Sequence, residues 1–450
     1  MKQPSRRALL LATAAAALVC ATERTTRAMG RTSLGGSIKL HLPWPIAAID
    51  PHRLDDIAAA VLGDALFDTL YARDGASPDG GFVPSLAESE PQALPSGGLR
   101  VVMRGGLTTA HGRAIDAHDV AFALERSRAL GAHAWLGSLA PPRLDGDDAL
   151  IFAAREPGYL MRTLSSPLTA IVPIGFSSAI PDGTGPLRAT RRGDALALVR
   201  NGNAARGASF LDEVVIRHAS ALDVSLRAFE TGADDVGWLG SGYLDTRAGS
   251  QPFDVGAVGW ALLRSGREAG TQWDAPGVAQ ALADSLPPAS FSSFFLGPPW
   301  PVTAGGGWGG PPCDLLVRDD APWLVELAKT IAATLSVSSA VTAKPIPAYE
   351  LSQRRASRAY ALAVDATRPF IHGALGAHAA LATADDPATA VDAVKHPPRG
   401  GDMSPRALAR MMRIGVIGEI RVQGGRVPDL VLPVSANAFG VDLGASTRTR

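Results

Sequence analysis

Cysteine is scarce in this sequence, and its scarcity limits the kinds of site that the chain can hold. Only Cys20 and Cys313 occur among 450 residues. If Cys20 is removed with an N-terminal signal, Cys313 is left alone, so we expect no internal disulfide in the mature protein. A site of the Cys/His zinc type is also disfavoured, because such sites need several converging ligands.

Neither sign of charge is in excess. Lysine plus arginine number 43, aspartate plus glutamate number 43, and the formal net charge is zero. A strongly basic surface is the usual electrostatic sign of nucleic-acid binding or of attraction to anionic membranes. The sequence therefore gives no reason to expect nucleic acid or an acidic membrane surface as a partner.

Recognisable catalytic motifs are missing. The sequence contains no G-x-S-x-G nucleophile turn, no Walker loop and no H-E-x-x-H pair. The glycine-rich run at 305–310 lacks the Lys-Ser/Thr pair and the capped helix that phosphate binding requires, so we interpret it as a loop. The nine histidines are scattered singly, and a nickel or haem site would need several of them to converge in the fold, which the sequence neither shows nor excludes. We therefore predict no catalytic residue, no metal site and no cofactor.

Long apolar runs are missing except at the N-terminus. Lys2, Arg6 and Arg7 form a basic start, and residues 8–19 are almost entirely apolar. That run is shorter than the roughly 20 residues needed to span a bilayer, and a small-residue cleavage site follows it. We predict a signal peptide at residues 1–21 and a periplasmic or extracytoplasmic protein.

The route of export stays open at this point. The paired arginines resemble a twin-arginine (Tat) signal, which exports folded proteins, and an ordinary Sec signal fits equally well. A third alternative is a lipid anchor on Cys20, although Val19 is bulky for a lipoprotein. Residues 22–36, rich in Thr, Arg and Gly, are expected to form a disordered spacer.

The rest of the chain has the composition and the pattern of a globular α/β protein. Apolar residues make up 46% and charged residues 19%. A strand at 214–218, a helix at 221–231 closed by Gly232, and a strand at 235–239 predict a crossover with parallel strands. Residues 315–364 repeat this alternation. At 450 residues the chain is also long enough for two or more domains.

One stretch carries a recognisable pattern, Gly106 to Arg126, with the sequence GLTTAHGRAIDAHDVAFALER. Asp116 is placed to cap a helix, and Asp119 lies where the helix dipole favours negative charge. The stretch resembles the signature of the family 5 extracellular solute-binding proteins, the peptide and nickel class that serves ABC importers. It departs from that signature at residues 109–111.

Further matches to the same family occur in the expected order between about residues 49 and 236. They are Ile49-Asp50-Pro51 with the run 66–70 (LFDTL), the run 82–89 (FVPSLAES), the run 183–187 (GTGPL), the runs 198–201 and 210–217, and the run 226–236. Beyond residue 260 the resemblance thins to scattered pieces.

The resemblance implies an α/β protein with the type II periplasmic-binding-protein fold. Two α/β lobes would flank a cleft, with a subdomain inserted in the first lobe. Lobe I would comprise residues 37–50, 174–260 and 415–450, the insert residues 51–173, and lobe II residues 261–414. Hinge crossings are expected near 256–264 and 411–421, where Gly256 and Gly259 act either as hinge residues or as turn residues.

Candidate ligand-binding residues lie near predicted strand ends, where ligands gather in open α/β sheets. Trp238 and Tyr243 follow one such strand, and core packing is the alternative role for Trp238. Asp365 stands where peptide binders of the family carry an aspartate that pairs with the ligand's α-ammonium group, although the family's Gly-Trp pair is missing. A cap or turn role is the alternative for Asp365. Arg368 could hold a carboxylate or be a solvated loop residue.

Three functions remain in competition. The first is a receptor that binds a peptide or similar small solute and docks, as a monomer, on an ABC permease. The second is a solute-binding fold reused as a sensor or accessory protein without transport, which the thin resemblance of the second half favours. The third, a secreted enzyme, is the least favoured, because the sequence contains no catalytic constellation. The sequence does not identify the ligand.

Overall fold

The structure is a computed structural model. It describes residues 34–75, 80–219, 222–238, 247–294, 296–303, 306–398, 400, 402–436 and 439–449. The predicted signal peptide, most of the predicted spacer and Tyr243 lie outside these residues. No helix in the described ranges combines the length and the apolar character needed to cross a bilayer.

Strands and helices alternate along most of the chain. The strands are β1 Ser37–Leu42, β2 Tyr71–Arg73, β3 Phe82–Pro84, β4 Gln92–Ala93, β5 Leu99–Val102, β6 Arg143–Leu144, β7 Ala149–Phe152, β8 Leu187–Arg192, β9 Ala195–Arg200, β10 Glu213–His218, β11 Val236–Trp238, β12 Gln251–Ser265, β13 Leu296–Gly297, β14 Cys313–Arg318, β15 Val341–Ile346, β16 Leu362–Thr367, β17 Ile414–Arg426, β18 Leu430–Val431 and β19 Thr447–Arg448. The α-helices are α1 Ile57–Leu66, α2 Ala117–Ser127, α3 His133–Leu136, α4 Pro157–Thr163, α5 Leu222–Glu230, α6 Val278–Ser285, α7 Pro322–Leu335, α8 Ala348–Ser357, α9 Ala374–Asp385, α10 Pro387–Lys395 and α11 Pro405–Ala409.

Eleven of the described strands form one sheet, in the order β15-β14-β16-β12-β17-β11-β1-β10-β9-β8, with β13 paired to β17. The strand group β8–β11 with β1 is here called the N-terminal strand group, and β14–β16 the C-terminal strand group. Within the first, β1 runs parallel to β10 and β11; within the second, β14 runs parallel to β15 and β16. These parallel pairs confirm the crossover connections expected from the sequence.

Two long antiparallel strands, β12 and β17, join the two groups. Trp238, at the end of β11, pairs with Gly424, and Thr367, at the end of β16, pairs with Trp260. Both strands therefore point with their C-terminal ends toward the middle of the β12–β17 ribbon. The two groups therefore direct the ends of these strands toward one region, and such strand ends are where ligands bind in open α/β sheets.

The two glycines expected at a hinge have distinct local roles in β12. Gly256 has a φ of 92° and lies in a bulge, a conformation that glycine adopts readily. Gly259 packs so closely that a Cβ atom would lie 2.5 Å from the carbonyl oxygen of Thr367. A hinge movement at these positions stays a prediction.

Residues between α1 and β8 form small sheets and helices outside the eleven-stranded sheet. Strands β4, β5, β7 and β6 form one small sheet, and β2 pairs with β3. This region touches the second half of the chain, because Trp135 stacks on Phe370 with ring centroids 5.4 Å apart and Ser166 donates to the carbonyl of Phe370 at 2.6 Å. The boundary of an inserted subdomain at residues 51–173 stays a proposal.

Some element boundaries differ from those expected from the sequence. The alternation expected over 315–364 ends in a strand at Leu362–Thr367, which extends beyond residue 364, because Arg358 ends α8 in the left-handed conformation and the next residues bond to the loop at 266–268. The apolar segment 428–434 contributes only the two-residue strand Leu430–Val431, paired with β19. The C-terminal segment nevertheless returns to the N-terminal strand group, where Phe210 donates to the carbonyl of Gly444.

Candidate functional site

A cavity of about 190 Å³ lies between the segment that follows β1 and the segment that follows β14. Both segments leave strands whose C-terminal ends point to the middle of the β12–β17 ribbon. The cavity is lined by Trp44, Pro45, Ala47, Ala48, Asp50, Arg53, Asp55, Asp56, Ile57, Ala58, Ser178, Arg318, Asp320, Ala321, Trp323 and Leu324. It combines aromatic and apolar walls with a few charged groups, as ligand sites commonly do.

An ion pair between Arg318 and Asp55 crosses this cavity and connects its two walls. Asp55 accepts hydrogen bonds from Arg53 on its own side, at 2.9 and 3.0 Å, and from Arg318 of β14, at 2.8 Å. Burial alone would raise the pKa of Asp55, but the hydrogen bond from Arg53 and the charges of Arg53 and Arg318 outweigh it and hold the pKa well below its usual range. Arg318 also donates to Asp320 at 2.6 Å.

Asp56 lines the same cavity and caps α1. Its two carboxylate oxygens accept the backbone N–H groups of Ala59 at 2.8 Å and of Asp50 at 2.9 Å. Burial raises the pKa of Asp56 to about 6, against the opposing effect of these two hydrogen bonds and of the Arg368 charge. A carboxylate with a pKa near neutrality in a cavity is a functional-site candidate.

The candidate Asp365 lies inside β16 and is only 1% exposed. Its Oδ2 atom accepts hydrogen bonds from Arg264, at 3.2 Å, and from Arg355 of α8. The charge of Asp365 raises the pKa of Arg355. Two guanidinium groups thus already neutralise the carboxylate that the family resemblance assigns to a ligand ammonium, and Asp365 neither caps a helix nor occupies a turn.

The candidate Arg368 directly follows β16 and is 1% exposed, so it is not a solvated loop residue. Its guanidinium donates to the backbone carbonyls of Pro51 and of Arg53, the latter at 3.1 Å, and its own N–H donates to the carbonyl of Leu54. Burial lowers the pKa of Arg368 to about 10. The side chain therefore holds the segment that forms one wall of the cavity.

The two aromatic candidates are only partly placed. Trp238 ends β11 and pairs with Gly424, near the Gln251–Arg426 end of the ribbon. The structure gives no description of its side chain, and Tyr243 lies outside the described residues. Their contact with a ligand stays a prediction.

Several cavity residues were missed by the sequence analysis. Trp44 follows β1 closely, and Arg318 and Trp323 lie at and after the end of β14. The rule that ligands gather at the C-terminal ends of strands could have identified these positions, had it been applied to β1 and β14 as well as to β11 and β16.

Two buried polar atoms lie at the end of the β12–β16 pairing. Trp260 and Thr367 stand opposite each other and are 4% and 2% exposed. Neither Trp260 Nε1 nor Thr367 Oγ1 has a hydrogen-bond partner within the described part of the chain. Buried polar groups are normally paired, so this point of the ribbon has unused hydrogen-bonding capacity.

A larger cavity, of about 630 Å³, lies on the face of β14 and β15, with β15 at the edge of the sheet. Its charged groups form their own exposed pairs, Lys344 with Asp314 at 2.7 Å and Arg354 with Glu350 at 3.0 Å. It belongs to one strand group alone and is not a cleft between the two. Within the described ranges, no cluster of His, Cys, Asp and Glu is arranged to hold a metal ion.

Comparison with known proteins gives a result for structure but not for sequence. No protein-family model matches the chain, and no curated protein matches it by sequence. Solved structures match over nearly the whole chain. The oligopeptide-binding protein AppA from Bacillus subtilis, in complex with a nonapeptide, is 13% identical, with a TM-score of 0.67 over 93% of this chain and 100% of that chain.

Two further structures show the same likeness. The ABC transporter-associated periplasmic binding protein DppA from Helicobacter pylori, in complex with a peptide, is 14% identical, with a TM-score of 0.65 over 93% of this chain and 99% of that chain. The binding protein AgaA from A. tumefaciens R10, in complex with agropinic acid, is 15% identical, with a TM-score of 0.66 over 92% of this chain and 99% of that chain. The sequence resemblance is thus confirmed at the level of the fold, and the chain has the α/β fold of the periplasmic binding proteins.

Proposed function

We propose that the protein is an extracytoplasmic solute receptor of an ABC importer, which binds a peptide or similar small solute between its two strand groups. The observation that carries the proposal is the cavity between the segments after β1 and after β14, with an Arg318–Asp55 ion pair across it. A receptor of this kind responds to a ligand by favouring a closed state in which both walls contact the ligand.

The comparisons support a binding role. The solved structures with this fold include binding proteins in complex with peptides and with agropinic acid. We further propose that the protein is a monomer and is exported by a Tat or Sec signal. It would dock on a membrane permease and would perform no turnover. The proposal places the ligand in the cavity and keeps Trp238, Tyr243, Asp365 and Arg368 as candidate contacts, although the described lining of the cavity includes none of them.

A second candidate function is a sensor or accessory protein that keeps the fold but has lost transport. The observation that favours it is the environment of Asp365, whose carboxylate is occupied by Arg264 and Arg355. In this candidate function the Asp365 carboxylate pairs with two arginines of the chain in place of a ligand ammonium group. The protein would then bind a different ligand or none.

The receptor proposal predicts compaction without turnover. Mass spectrometry of the small molecules that copurify with the exported protein should identify a solute. Adding that solute to the emptied protein should reduce the radius of gyration in small-angle scattering, because the closed state binds it on both walls. Consumption of the solute in proportion to protein would contradict the proposal, and binding without compaction would favour the accessory role.

The ion pair across the cavity provides a second test. Arg318→Ala should weaken binding of the copurified solute by about 2 kcal/mol, because a charged hydrogen bond that joins the two walls is lost. Lys344→Ala is a matched control, since Lys344 belongs to the same strand group but pairs with Asp314 on the outer face. Calorimetry checks both variants. Equal affinities for Arg318→Ala and the wild type would show that the pair has no part in closure.

A further inference from the structure

Carboxylates outnumber guanidinium groups among the side chains that line the cavity, and two further arginines, Arg126 and Arg368, lie behind this lining. Four carboxylates line the cavity, those of Asp50, Asp55, Asp56 and Asp320, against the two guanidinium groups of Arg53 and Arg318. A carboxylate in such a lining that has no direct partner attracts a cation more strongly than a carboxylate on the surface does, because the surrounding dielectric is lower.

Three of the four carboxylates already have arginine partners. Asp50 binds Arg126 at 2.6 Å, and Arg318 binds both Asp55 and Asp320. In the described part of the chain, no salt bridge reaches Asp56. Within the same residues its hydrogen bonds come from two backbone N–H groups, so each oxygen retains a lone pair for a further donor.

Capping α1 does not require this charge. Serine, threonine or asparagine caps a helix about as well as aspartate does, without the cost of burying an ion. That cost is visible here, since burial raises the pKa of Asp56 to about 6. The charged groups around Asp56 are Arg368, which lowers its pKa, and Asp55, which raises it, with Asp50 bonded through its backbone. Arg368 donates its guanidinium hydrogen bonds to backbone carbonyls, so among the described residues the Asp56 carboxylate has no direct cationic partner.

Aromatic side chains complete the environment. Trp44 and Trp323 both line the cavity, and indole rings attract cations. The volume of about 190 Å³ is below the usual range for ligand pockets, roughly 300–1,000 Å³. The cavity therefore suits a compact solute better than an extended chain.

We infer that this cavity binds a small organic ammonium ion, which forms an ion pair with the carboxylate of Asp56. The inference rests on the proposed receptor function and specifies its ligand class. It assigns the partner of the ligand's ammonium group to Asp56, on the opposite wall of the cleft from Asp365, because two arginines already neutralise Asp365. Arg53 and Arg318 remain bound to Asp55, so they do not compete with the ligand's ammonium group for the carboxylate of Asp56.

Matched probes that differ only in charge test the inference. Choline is compared with neohexanol, in which carbon replaces the quaternary nitrogen, and butylammonium with butanol. We expect the cation of each pair to bind the emptied mature protein at least ~10-fold more tightly than its neutral partner, as measured by calorimetry. Neutral partners that bind as tightly as the cations, or no binding of either cation at millimolar concentration, would overturn it.

Variants locate the effect on Asp56. Asp56→Asn keeps an oxygen that can cap α1 but loses the charge, and should abolish the preference for the cation. Asp314→Asn makes the same change in an exposed pair outside the cavity and should retain the full preference. Asp56→Glu keeps the charge at a displaced position and should retain part of the preference for the cation. Circular dichroism verifies that each variant folds. A full preference in Asp56→Asn would reject the assignment.

The pH dependence of the wild type provides a test that needs no variant. Because the pKa of Asp56 is about 6, lowering the pH from about 7.5 to about 5 should weaken choline binding roughly tenfold. Affinity that does not change over this range would contradict the role of Asp56.

The proposed receptor function and the proposed ligand class can be rejected independently of each other. A neutral or anionic copurified solute that compacts the wild type and Asp56→Asn equally would retain the receptor and reject the ammonium. Cation binding that depends on Asp56 but produces no compaction would retain the site and reject the receptor.

Discussion

Asp50→Ala should destabilise the protein by about 3–5 kcal/mol, the range for removing one member of a buried ion pair. Asp50 is 5% exposed, and its two oxygens accept hydrogen bonds from Arg126 at 2.8 and 2.6 Å. One of them also accepts the backbone N–H of His52 at 3.0 Å. The substitution leaves the Arg126 guanidinium, largely buried, without its counter-ion.

The neighbouring His52 cannot compensate for the lost carboxylate. Arg126 donates to His52 Nδ1 at 2.9 Å, so the proton of the neutral ring is on Nε2, which donates to the carbonyl of Ala170 at 2.8 Å. Burial lowers the pKa of His52 to about 4, and its ring stays neutral at pH 7. The histidine therefore orients Arg126 but supplies no negative charge.

Denaturant unfolding measures the effect of Asp50→Ala. Asp314→Ala is the control, because Asp314 and Lys344 form an exposed pair, and exposed pairs contribute little. A double-mutant cycle with Arg126→Ala should give a large coupling free energy between Asp50 and Arg126. Equal unfolding midpoints for Asp50→Ala and Asp314→Ala would contradict the structural role assigned to the pair.

This ion pair also shows what could and could not be predicted from the sequence. Asp50 and Arg126 belong to two separate family motifs, at 49–51 and 106–126, which the sequence analysis recognised by pattern alone. Nothing in the spacing indicates that they meet, because contact across 76 residues depends on how α2 packs on the segment after β1. Local features were predictable: Asp116 and Asp119 form the capping arrangement expected at the start of α2.

The candidate site was less predictable than the fold. The strand ends follow from local patterns of apolar residues, and the rule about C-terminal ends directs attention to the correct edge. The partners of Asp365 do not follow from such patterns, since Arg264 lies 101 residues away on β12 and Arg355 on a preceding helix. Only the register of β16 against β12 and the packing of α8 bring the three side chains together.

The glycines of the motif at 183–187 have a role that the sequence pattern does not explain. Gly183 and Gly185 lie against the C-terminal end of α1, where a Cβ atom on either would meet backbone atoms of Leu66 at 2.3 and 2.5 Å. Neither glycine requires the left-handed backbone region. Their small size, rather than their flexibility, lets Gly185 donate to the carbonyl of Leu66 and Thr184 reach the buried Asp68 at 2.7 Å.

Gly185→Ala should therefore destabilise the protein by about 3 kcal/mol, the upper part of the usual range for overpacking. The added methyl group would meet the backbone of residues 65–67, which cannot move without disrupting the end of α1 and the hydrogen bond between Thr184 and Asp68. Asp68 also pairs with Arg206, so a displaced Thr184 would disturb a buried charged group.

Gly63→Ala is the matched control, because it adds the same methyl group to the same helix at a position with no atom within 4 Å of the new Cβ. There the change should stabilise the protein by about 0.5–1 kcal/mol, since alanine favours a helix interior over glycine. Thermal and denaturant unfolding of the two variants should thus shift in opposite directions. A Gly185→Ala variant as stable as Gly63→Ala would show that the contact with α1 can relax, and that the small size of the glycine is not what holds these two segments together.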